Sequence, residues 1–213
     1  MEITDGNINF LPYMGLVKQG QTDIINFQKG QLIYFEGNTP LGVYIVKEGK
    51  VKTTKCGSNG KEQIIRILRA GEIINYSELI TGKKFKSTAR AMQDSALFFI
   101  GKEEFVKYLK LLPSVSRELI IHLSKELLKA EDRIAGLSFK PAKARIAEAL
   151  INLSDENQQP VNISRKDLAC FVGTAKETLN RIISELCKDG LIKVNKSTIE
   201  IENRSQLQAC SEN

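Results

Sequence analysis

The sequence contains few of the residues from which metal sites and disulfide frameworks are built. His122 is the only histidine among 213 residues, and the four cysteines are far apart, with no Cys-x-x-Cys pair. Structural zinc needs clustered cysteine or histidine ligands, and disulfide-rich domains need several paired cysteines in a short chain. We therefore predict no metal and no other cofactor. Cys56 is the first cysteine, so an N-terminal cysteine cluster for an iron–sulfur centre is absent as well.

Neither residue type is predicted to carry out chemistry. His122 falls within a helical pattern, which favours a half-buried structural role. The cysteines have two interpretations, single buried thiols, which we favour, or a redox sensor. They are Cys56, Cys170, Cys187 and Cys210. A barrel-type enzyme would need clustered histidines or carboxylates that this sequence does not show, so we predict no catalytic residue.

Long apolar runs are also missing. No segment approaches the ~20 residues that a membrane-spanning helix requires, and the N-terminal residues lack a basic segment followed by an apolar one. With 42% hydrophobic residues, a chain of this length can fill the core of one large domain or two smaller ones. We expect a folded cytoplasmic protein without a membrane partner. Its formal charge of +6 is compatible with nucleic-acid binding but does not establish it.

Short extended segments that end in glycine follow one another from Phe27 to about Ile100. They are rich in β-branched and aromatic residues and read QLIYFEG, GVYIVKEG, KVKTTKCG, EQIIRILRAGE and SALFFIG. The residues from Gly57 to Gly60 lie between two of these segments and are typical of a hairpin loop. Regular spacing of this kind predicts a small β-barrel or jelly roll.

The periodicity becomes helical after Gly101. A first helix, KEEFVKYLKLL, ends at Pro113, and Ser114 is predicted to cap a second helix of ~24 residues that reaches about Leu137. The apolar residues of this second helix are spaced alternately three and four apart: Ile120, Leu123, Leu127, Ala130, Ile134 and Leu137. Such a heptad stripe can pack on the barrel of its own chain, but its period favours another helix as partner. We therefore predict a parallel homodimer.

A hinge is predicted after the long helix. The segment GLSFKPAKAR, which begins at Gly136, contains glycine, serine and proline. These residues interrupt helices and are typical of connections between domains. The sequence therefore predicts an effector-sensing β-barrel domain over residues 1–112, a dimerisation helix over residues 113–137 and a second domain over residues 138–213.

Two helices joined by a tight turn are predicted from ISRKDLACFVGTAKETLNRI, residues 163–182. Ser164 can cap the first helix and Gly173 can end it, and the buried face then consists of Leu168, Phe171 and Val172. Thr174 is predicted to cap the second helix. The buried stripe of that helix consists of Leu179, Ile182, Ile183 and Leu186. This is the pattern of a helix-turn-helix.

The second of these helices carries polar side chains on its outward face, namely Glu177, Asn180, Arg181 and Ser184. In a DNA major groove, arginine can bridge O6 and N7 of guanine and glutamate can accept from N4 of cytosine, while Lys176 can reach a base or a phosphate. The alternative is that Glu177 and Arg181, four residues apart, form an ion pair on a solvated surface. The spacing leaves both interpretations open.

The segment GLIKVNKSTIEIEN follows directly and predicts a turn and two short strands, as in the hairpin of a winged helix. From residue 161 onward the chain has eight basic and seven acidic side chains. DNA binding would therefore depend on the placement of these charges and on two copies per dimer. The candidate DNA-binding residues are Ser164, Thr174, Lys176, Glu177, Asn180, Arg181 and Lys196.

The barrel segments, the heptad helix and SRKDLACFVGTAKETLNRI together resemble the CRP/FNR family of bacterial transcription regulators over nearly the whole chain. The family's recognition pattern, Gly-x-x-(Lys/Arg)-Glu-(Ser/Thr)-x-x-Arg, is matched by Gly173, Lys176, Glu177, Thr178 and Arg181. The resemblance implies an α+β fold with an N-terminal cyclic-nucleotide-binding-type β jelly roll, a long dimerisation helix and a C-terminal winged helix-turn-helix domain. It also implies that Glu177 and Arg181 read the TGA-type core of a palindromic half-site, and that RNA polymerase is a partner.

Residues 71–91, GEIINYSELITGKKFKSTARA, resemble the cyclic-nucleotide cassette of that family and depart from it at several positions. In the cassette a glutamate takes the ribose 2′-hydroxyl, and an arginine with backbone N–H groups holds the phosphate. Here the second glycine of the cassette falls on Asn75, the ribose-binding glutamate on Tyr76 and the following leucine on Ser77. The ribose contact is therefore lost.

The phosphate and adenine contacts are changed as well. The arginine position falls on Phe85, and Lys86, one residue beyond, lacks the bidentate fork of arginine. On the long helix, the Thr-Ser pair that meets adenine in the family falls on Ala130 and Glu131. We therefore predict a degenerate sensor that does not bind cyclic AMP.

An unknown small-molecule effector remains compatible with this loop. The candidate pocket residues are Glu72, Tyr76, Ser77, Lys86, Ser87, Ala130 and Glu131. Lys83 and Lys84 add positive charge beside them, and the alternative is a solvated charge cluster without a ligand. The leading hypothesis is a homodimeric DNA-binding transcription regulator whose barrel receives a signal other than cyclic AMP. The rival hypothesis is a ligand-binding module that acts on a protein partner.

Overall fold

The computed structural model describes Phe10, residues 22–154 and residues 160–212. The chain divides between Leu127 and Leu128 into two compact units. The first unit is built on β-strands, and the second consists mainly of helices. Within the described residues, no helix is both long enough and apolar enough to cross a membrane.

The first unit contains two four-stranded antiparallel sheets. Their strands are β1 (Asp23–Phe27), β2 (Leu32–Tyr34), β3 (Gly42–Glu48), β4 (Lys50–Cys56), β5 (Glu62–Arg69), β6 (Ile73–Ile74), β7 (Thr88–Ala91) and β8 (Ser95–Gly101). One sheet has the order β1-β8-β3-β6 and the other β2-β7-β4-β5, so most neighbouring strands are distant in sequence. This confirms the predicted jelly roll.

Side-chain alternation along the strands builds the interior of the jelly roll. In β5, Ile64 and Leu68 are fully buried, whereas Ile65 is 37% exposed. Successive residues of a strand point to opposite faces, so one face of β5 belongs to the core. The predicted loop between β4 and β5 closes with a hydrogen bond from Gly60 N to Gly57 O of 2.9 Å. Each of the five predicted segments contains a strand, whereas β1, β6 and β7 were not predicted.

One glycine is required by the tight turn between β3 and β4. Gly49 has a φ of +97°, in the left-handed region that glycine adopts without steric cost. A Cβ atom at this position would overlap the side chain of Ser95. The hydroxyl of Ser95 accepts from Lys50 N at 3.2 Å. The sheets therefore approach each other closely at this turn.

Three helices belong wholly or partly to the first unit: α1 (Tyr76–Thr81), α2 (Lys102–Leu111) and α3 (Pro113–Phe139). The predicted cap of α3 at Ser114 is wrong, because the helix begins at Pro113. Proline suits the first helical position, where its missing N–H would have no partner within the helix. The helix also continues beyond its predicted end at Leu137 and stops before Pro141, which disfavours helical geometry in the preceding residue.

The heptad stripe of α3 is exposed along its whole length. Ile120, Leu127 and Ile134 have exposed fractions of 63%, 60% and 66%. In contrast, Leu119 and His122 on the same helix are buried. The alternative in which this stripe packs on its own barrel is therefore wrong for Ile120, Leu123 and Leu127, which belong to the first unit.

The second unit combines short helices with a three-stranded antiparallel sheet of order β10-β11-β9. In addition to the end of α3, its elements are α4 (Ala142–Leu153), β9 (Val161–Asn162), α5 (Arg165–Val172), α6 (Lys176–Lys188), β10 (Ile192–Asn195), β11 (Thr198–Ile201) and α7 (Arg204–Glu212). Its fully buried side chains come from most of these elements: Ile146, Leu150, Leu168, Leu179, Leu186, Ile199 and Leu207. This unit therefore has its own hydrophobic core.

The histidine and the cysteines have structural surroundings that the sequence only partly predicted. His122 is 4% exposed and packs edge-on against the rings of Phe10 and Tyr76, with centroid distances of 5.6 and 5.3 Å. It is therefore more deeply buried than expected. The four cysteines, all within the described residues, form no disulfide, and the interpretation as buried thiols is wrong for Cys56, which is exposed at the end of β4 beside the hairpin loop. The other three are partly buried.

Candidate DNA-binding surface and barrel site

The first helix of the helix-turn-helix, α5, begins at the predicted cap. Ser164 Oγ accepts a hydrogen bond from Asp167 N at 3.0 Å and donates to the Asp167 carboxylate at 2.9 Å. The cap therefore satisfies one of the N–H groups that the first turn of a helix leaves without a partner. Gly173 ends the helix with a φ of +69°, as predicted.

The second helix, α6, begins one residue later than the sequence suggested. Thr174 was predicted to cap it, but the N-cap residue is Ala175, which makes no side-chain cap hydrogen bond. The physical reason is that the backbone N–H of Thr174 closes the preceding helix by donating to Ala169 O at 3.1 Å. Thr174 therefore belongs to the turn between the two helices.

The outward face of α6 has the predicted composition. The buried stripe of the helix consists of Leu179, Ile182, Ile183 and Leu186, and the exposed face carries Lys176, Glu177, Asn180, Arg181 and Ser184. The alternative ion pair between Glu177 and Arg181 is replaced by another pair. The Nη1 atom of Arg181 lies 2.5 Å from Glu185 Oε1, one turn further along the helix.

Two arginines hold the turn between α5 and α6, and sequence reasoning missed both. Arg133 of α3 donates from Nη2 to Phe171 O at 2.6 Å, with its guanidinium carbon 4.7 Å from the centre of the Phe171 ring. Arg145 of α4 donates to Val172 O at 3.1 Å and to Gly173 O at 3.4 Å. Burial lowers the pKa of Arg133. Three consecutive carbonyl groups at the end of α5 are thus bound by charged donors, which fixes the direction of the turn.

The hairpin of β10 and β11 forms the predicted wing. Lys196 lies in its turn, exposed, with a φ of +55°, which is uncommon for a residue other than glycine. The next residue connects the wing to the helix-turn-helix, because Ile163 N donates to Ser197 O at 3.2 Å. Ser164 and Lys196 therefore lie at neighbouring points of this unit.

In the barrel, the loop before α1 has a residue in the left-handed conformation at the position where the cassette has its second glycine. Asn75 has a φ of +61°, and asparagine tolerates this left-handed conformation better than most residues. Its side chain donates to Gly42 O at 2.6 Å and accepts from Tyr44 N at 3.3 Å. Asn75 thus takes the place of a glycine and ties the loop to β3.

At the ribose end of this loop, two side chains contact other residues of the protein. Glu72 is buried, and its Oε2 atom accepts from Arg69 N at 2.6 Å. Tyr76 is 3% exposed and packs on His122. Burial raises the pKa of Tyr76, and the positive charge of Arg66 opposes that shift. Ser77 is exposed.

The position predicted for the phosphate-binding arginine is part of the aromatic core. Phe85 is 6% exposed, and its ring stacks on Tyr34 with a centroid distance of 4.0 Å. Burial raises the pKa of Tyr34, and a hydrogen bond with Ser87 opposes the shift. Lys86 is exposed, as are Lys83 and Lys84, and the predicted pocket residues Ala130 and Glu131 are exposed in the second unit. Phe85 therefore contributes to the aromatic packing of the barrel, whereas Lys86 faces solvent.

Arg66 of β5 is a residue of this region that sequence reasoning missed. It lies on the same face of the strand as the buried Leu68, and its Nε atom is 2.9 Å from Glu126 Oε2 on α3. The alternation of EQIIRILR could have revealed an inward-facing arginine, because residues two apart share a face. The strand thus carries a charge toward the core.

A jelly roll, a long helix and a winged helix-turn-helix with an exposed polar recognition face define a regulator that joins a sensor-type domain to a DNA-binding domain. Residues 24–111 match the cyclic nucleotide-binding domain, and residues 144–210 match the Crp-like helix-turn-helix domain. The chain belongs to the CRP/FNR family of transcription regulators.

Relatives of this chain are regulators rather than enzymes. The cyclic AMP receptor protein of Thermus thermophilus is 27% identical over 183 residues, which cover 85% of each chain. The fumarate and nitrate reduction regulatory protein of Salmonella typhimurium is 27% identical over 190 residues, with 85% of this chain and 76% of the relative covered.

Solved structures of the same family have the same architecture. FixK2 from Bradyrhizobium japonicum superposes with a TM-score of 0.79 at 24% identity, covering 89% of this chain and 96% of that one. A CRP/FNR-family transcriptional regulator from Thermus thermophilus gives a TM-score of 0.76 at 26% identity, covering 90% of this chain and 99% of that one. The fold of the chain is therefore that of the family.

Proposed function

We propose that the protein is a homodimeric regulator that binds palindromic DNA in a sequence-specific manner, with a barrel that does not respond to cyclic AMP. The observation that carries the proposal is the outward face of α6, where exposed polar side chains stand opposite a fully buried stripe. A helix of this kind, presented by a winged helix-turn-helix, enters a major groove. Glu177 and Arg181 are the proposed base-reading residues, and Ser164, Thr174, Lys176, Asn180 and Lys196 are the proposed supporting contacts.

The exposed heptad stripe supports the homodimer. Large apolar side chains at heptad spacing on one helix are stabilised by burial against a second helix, and a copy of α3 has the matching stripe. Two recognition helices would then occupy two half-sites about one helical turn of DNA apart. The proposed parts are the barrel over residues 1–112, the dimerisation helix over residues 113–137 and the DNA-binding domain over residues 138–213. Action in the cytoplasm, with RNA polymerase as a partner, belongs to the same proposal.

The barrel supports a signal other than cyclic AMP. Tyr76 cannot accept from a ribose hydroxyl as a carboxylate does, and its ring is already packed against His122. Phe85 cannot bind a phosphate, and it occupies the aromatic core. The relative from Thermus thermophilus is called a cyclic AMP receptor protein. At these two positions the present chain lacks the chemistry that cyclic AMP needs.

Selection from random double-stranded DNA with the full-length protein tests the proposed function. We expect recovered sequences with two TGA-type half-sites in inverted orientation, and binding that weakens steeply as salt rises, because phosphate contacts release counterions. A scrambled sequence of the same length is the control. Recovery of no common sequence, or equal affinity for the scrambled control, would contradict the proposal and favour a regulatory module that acts on a protein partner.

A further inference from the structure

Strand β5 carries an arginine toward the interior of the barrel. Arg66 pairs with Thr53 and Leu68 pairs with Val51, so the two residues share one face of β5, and Leu68 is fully buried. The side chain of Arg66 is 25% exposed, and its Nη2 atom is buried. A charged group in such a position is costly unless charged or hydrogen-bonding partners compensate it. The groups that contact this guanidinium therefore determine whether Arg66 has donors left for a ligand.

Glu126 satisfies only some of the hydrogen-bond donors of the guanidinium. Its Oε2 atom lies 2.9 Å from Arg66 Nε, whereas Nη2 has no hydrogen-bond partner among the described residues. The Nε–H and one Nη2–H of arginine lie on the same edge and form a fork that fits a carboxylate or a phosphate in a bidentate manner. Glu126 thus uses one arm of the fork and leaves the other arm buried and unsatisfied.

The groups around this fork define what can bind there. Burial raises the pKa of Tyr76 and the positive charge of Arg66 opposes that rise, so the phenol lies near the guanidinium, and Glu126 is the nearby carboxylate. Tyr34 and Phe85, whose rings stack, belong to the buried core of the same barrel. The free arm of the fork therefore suits a group with two acceptor oxygens.

We propose that the Nε–Nη2 edge of Arg66 binds a small oxyanion, the carboxylate or phosphate group of an effector, in competition with Glu126. The incoming group would satisfy both arms of the fork, and Tyr76 would donate a further hydrogen bond. The carboxylate of Glu126 would return to solvent. This inference names the ligand class of the barrel in the proposed function, and only its regulatory consequence rests on that function.

The competition links the barrel to the long helix. Glu126 lies on α3 between Leu123 and Leu127, two residues of the exposed heptad stripe. Its ion pair with Arg66 is a direct contact between β5 and this part of the helix. An anion that replaces Glu126 would loosen that contact and change the free energy of any helix arrangement that depends on it. Coupling is reciprocal, so DNA binding would change the affinity for the anion by the same factor.

The test uses the full-length protein with its arginines labelled at Nε, titrated at constant ionic strength with inorganic phosphate or with acetate against sodium chloride. Binding of either probe should shift the Arg66 signal, and the more effective probe identifies the phosphate or the carboxylate source. Arg66→Lys keeps the charge without the fork and should weaken binding by about tenfold. Glu126→Gln removes the competitor and should strengthen binding by about fivefold.

Lys55→Gln is the matched control, because it removes an exposed positive charge from β4, the strand that pairs with β5. It should leave the affinity of both probes unchanged. The proposal is overturned if neither probe binds the wild-type protein or Glu126→Gln. It is also overturned if Glu126→Gln binds no more tightly than wild type, or if Lys55→Gln weakens binding as much as Arg66→Lys. The same variants are tested for operator binding without added anion, and a wild-type protein that binds no operator contradicts the proposed function independently of the titration.

Discussion

The guanidinium of Arg181 already has a partner on the surface predicted to enter the major groove. Its ion pair with Glu185 is exposed, with 65% and 40% of the two side chains accessible, so water screens the interaction. On a guanine, the same side chain would make two hydrogen bonds in a fixed geometry. The pair is therefore a weak competitor for the proposed base contact, and Arg181 can exchange Glu185 for DNA.

Replacement of Arg181 by alanine tests this contact. We expect Arg181→Ala to lose about 1–3 kcal/mol of operator affinity and to relax the preference at one guanine of each half-site. Equilibrium binding to the operator and to half-sites with that base changed measures both effects. Lys188→Ala, at the exposed end of the same helix, is the control and should keep the base preference. Unchanged discrimination by Arg181→Ala would assign the arginine to a surface ion pair alone.

Lys196 in the wing is expected to contact a phosphate. The residue that replaces it in a test must tolerate its backbone conformation. Alanine would be strained at a φ of +55°, whereas asparagine tolerates this region. Lys196→Asn should weaken binding to all sequences alike and reduce the slope of log affinity against log salt by about one per contact. A fluorescence titration at several salt concentrations gives the slope. A sequence-dependent loss with an unchanged slope would contradict the phosphate contact.

Cyclic AMP is expected not to bind at physiological concentrations. The changes at Tyr76 and Phe85 remove two charge-assisted contacts of about 1.5–3 kcal/mol each, which would move a micromolar site to the millimolar range or weaker. Calorimetry should show no heat of binding, and cyclic AMP should leave operator affinity unchanged. A low-micromolar dissociation constant that Lys86→Gln abolishes would show instead that Lys86 holds the phosphate.

The turn of the helix-turn-helix depends on helices that lie before it in the chain. Arg145 binds the last two carbonyl groups of this turn and also donates to Lys140 O at 2.6 Å. We expect Arg145→Ala to destabilise the protein by about 1–3 kcal/mol, because these acceptors lose a charged donor. Operator affinity should fall as well.

Urea unfolding and operator binding of the full-length protein measure the two effects. Lys143→Ala on the same helix is the control. It breaks an exposed ion pair with Asp189 at 3.3 Å, which contributes little to stability. If Arg145→Ala unfolded and bound DNA like Lys143→Ala, the arginine would have no role in positioning α6.

Elements with a strong local pattern were predictable from the sequence, and those fixed by distant partners were not. The five main strands and α6 follow from alternation, glycine turns and an apolar stripe. Strand β6 has two residues and β9 also has two, so their pairing with β3 and β11 is set by tertiary contacts. The arginines at the turn bind carbonyl groups 38 and 27 residues away, which no local pattern encodes.

In the candidate site, too, some features were readable from the sequence and others required the fold. The outward residues of α6 and the departures from the cyclic-nucleotide cassette were readable from the sequence. Asn75 was identified as a departure, but only its φ of +61° shows that it keeps the backbone shape of a glycine. Arg66 was readable as an inward residue of β5, whereas its pairing with Glu126 requires the fold.

For the whole molecule, the exposed stripe predicts assembly. Replacing Leu127 and Ile134 together by glutamate should give monomers, because four carboxylates would face one another in the seam, and operator affinity should fall with the loss of the second half-site contact. Sedimentation equilibrium measures the oligomeric state. Lys129→Glu, an exposed position outside the heptad spacing, is the control and should remain dimeric. A double variant that sediments as a dimer would exclude the stripe as the interface.

The stripe also has a consequence for gene control. If α3 must pair before two half-sites can be filled, and pairing is incomplete at low abundance, then promoter occupancy rises with the square of the number of chains in the cell. Halving synthesis of the chain would reduce occupancy about fourfold under these conditions. Because of the exposed apolar stripe on α3, the regulated promoters would respond more than proportionally to the amount of this protein.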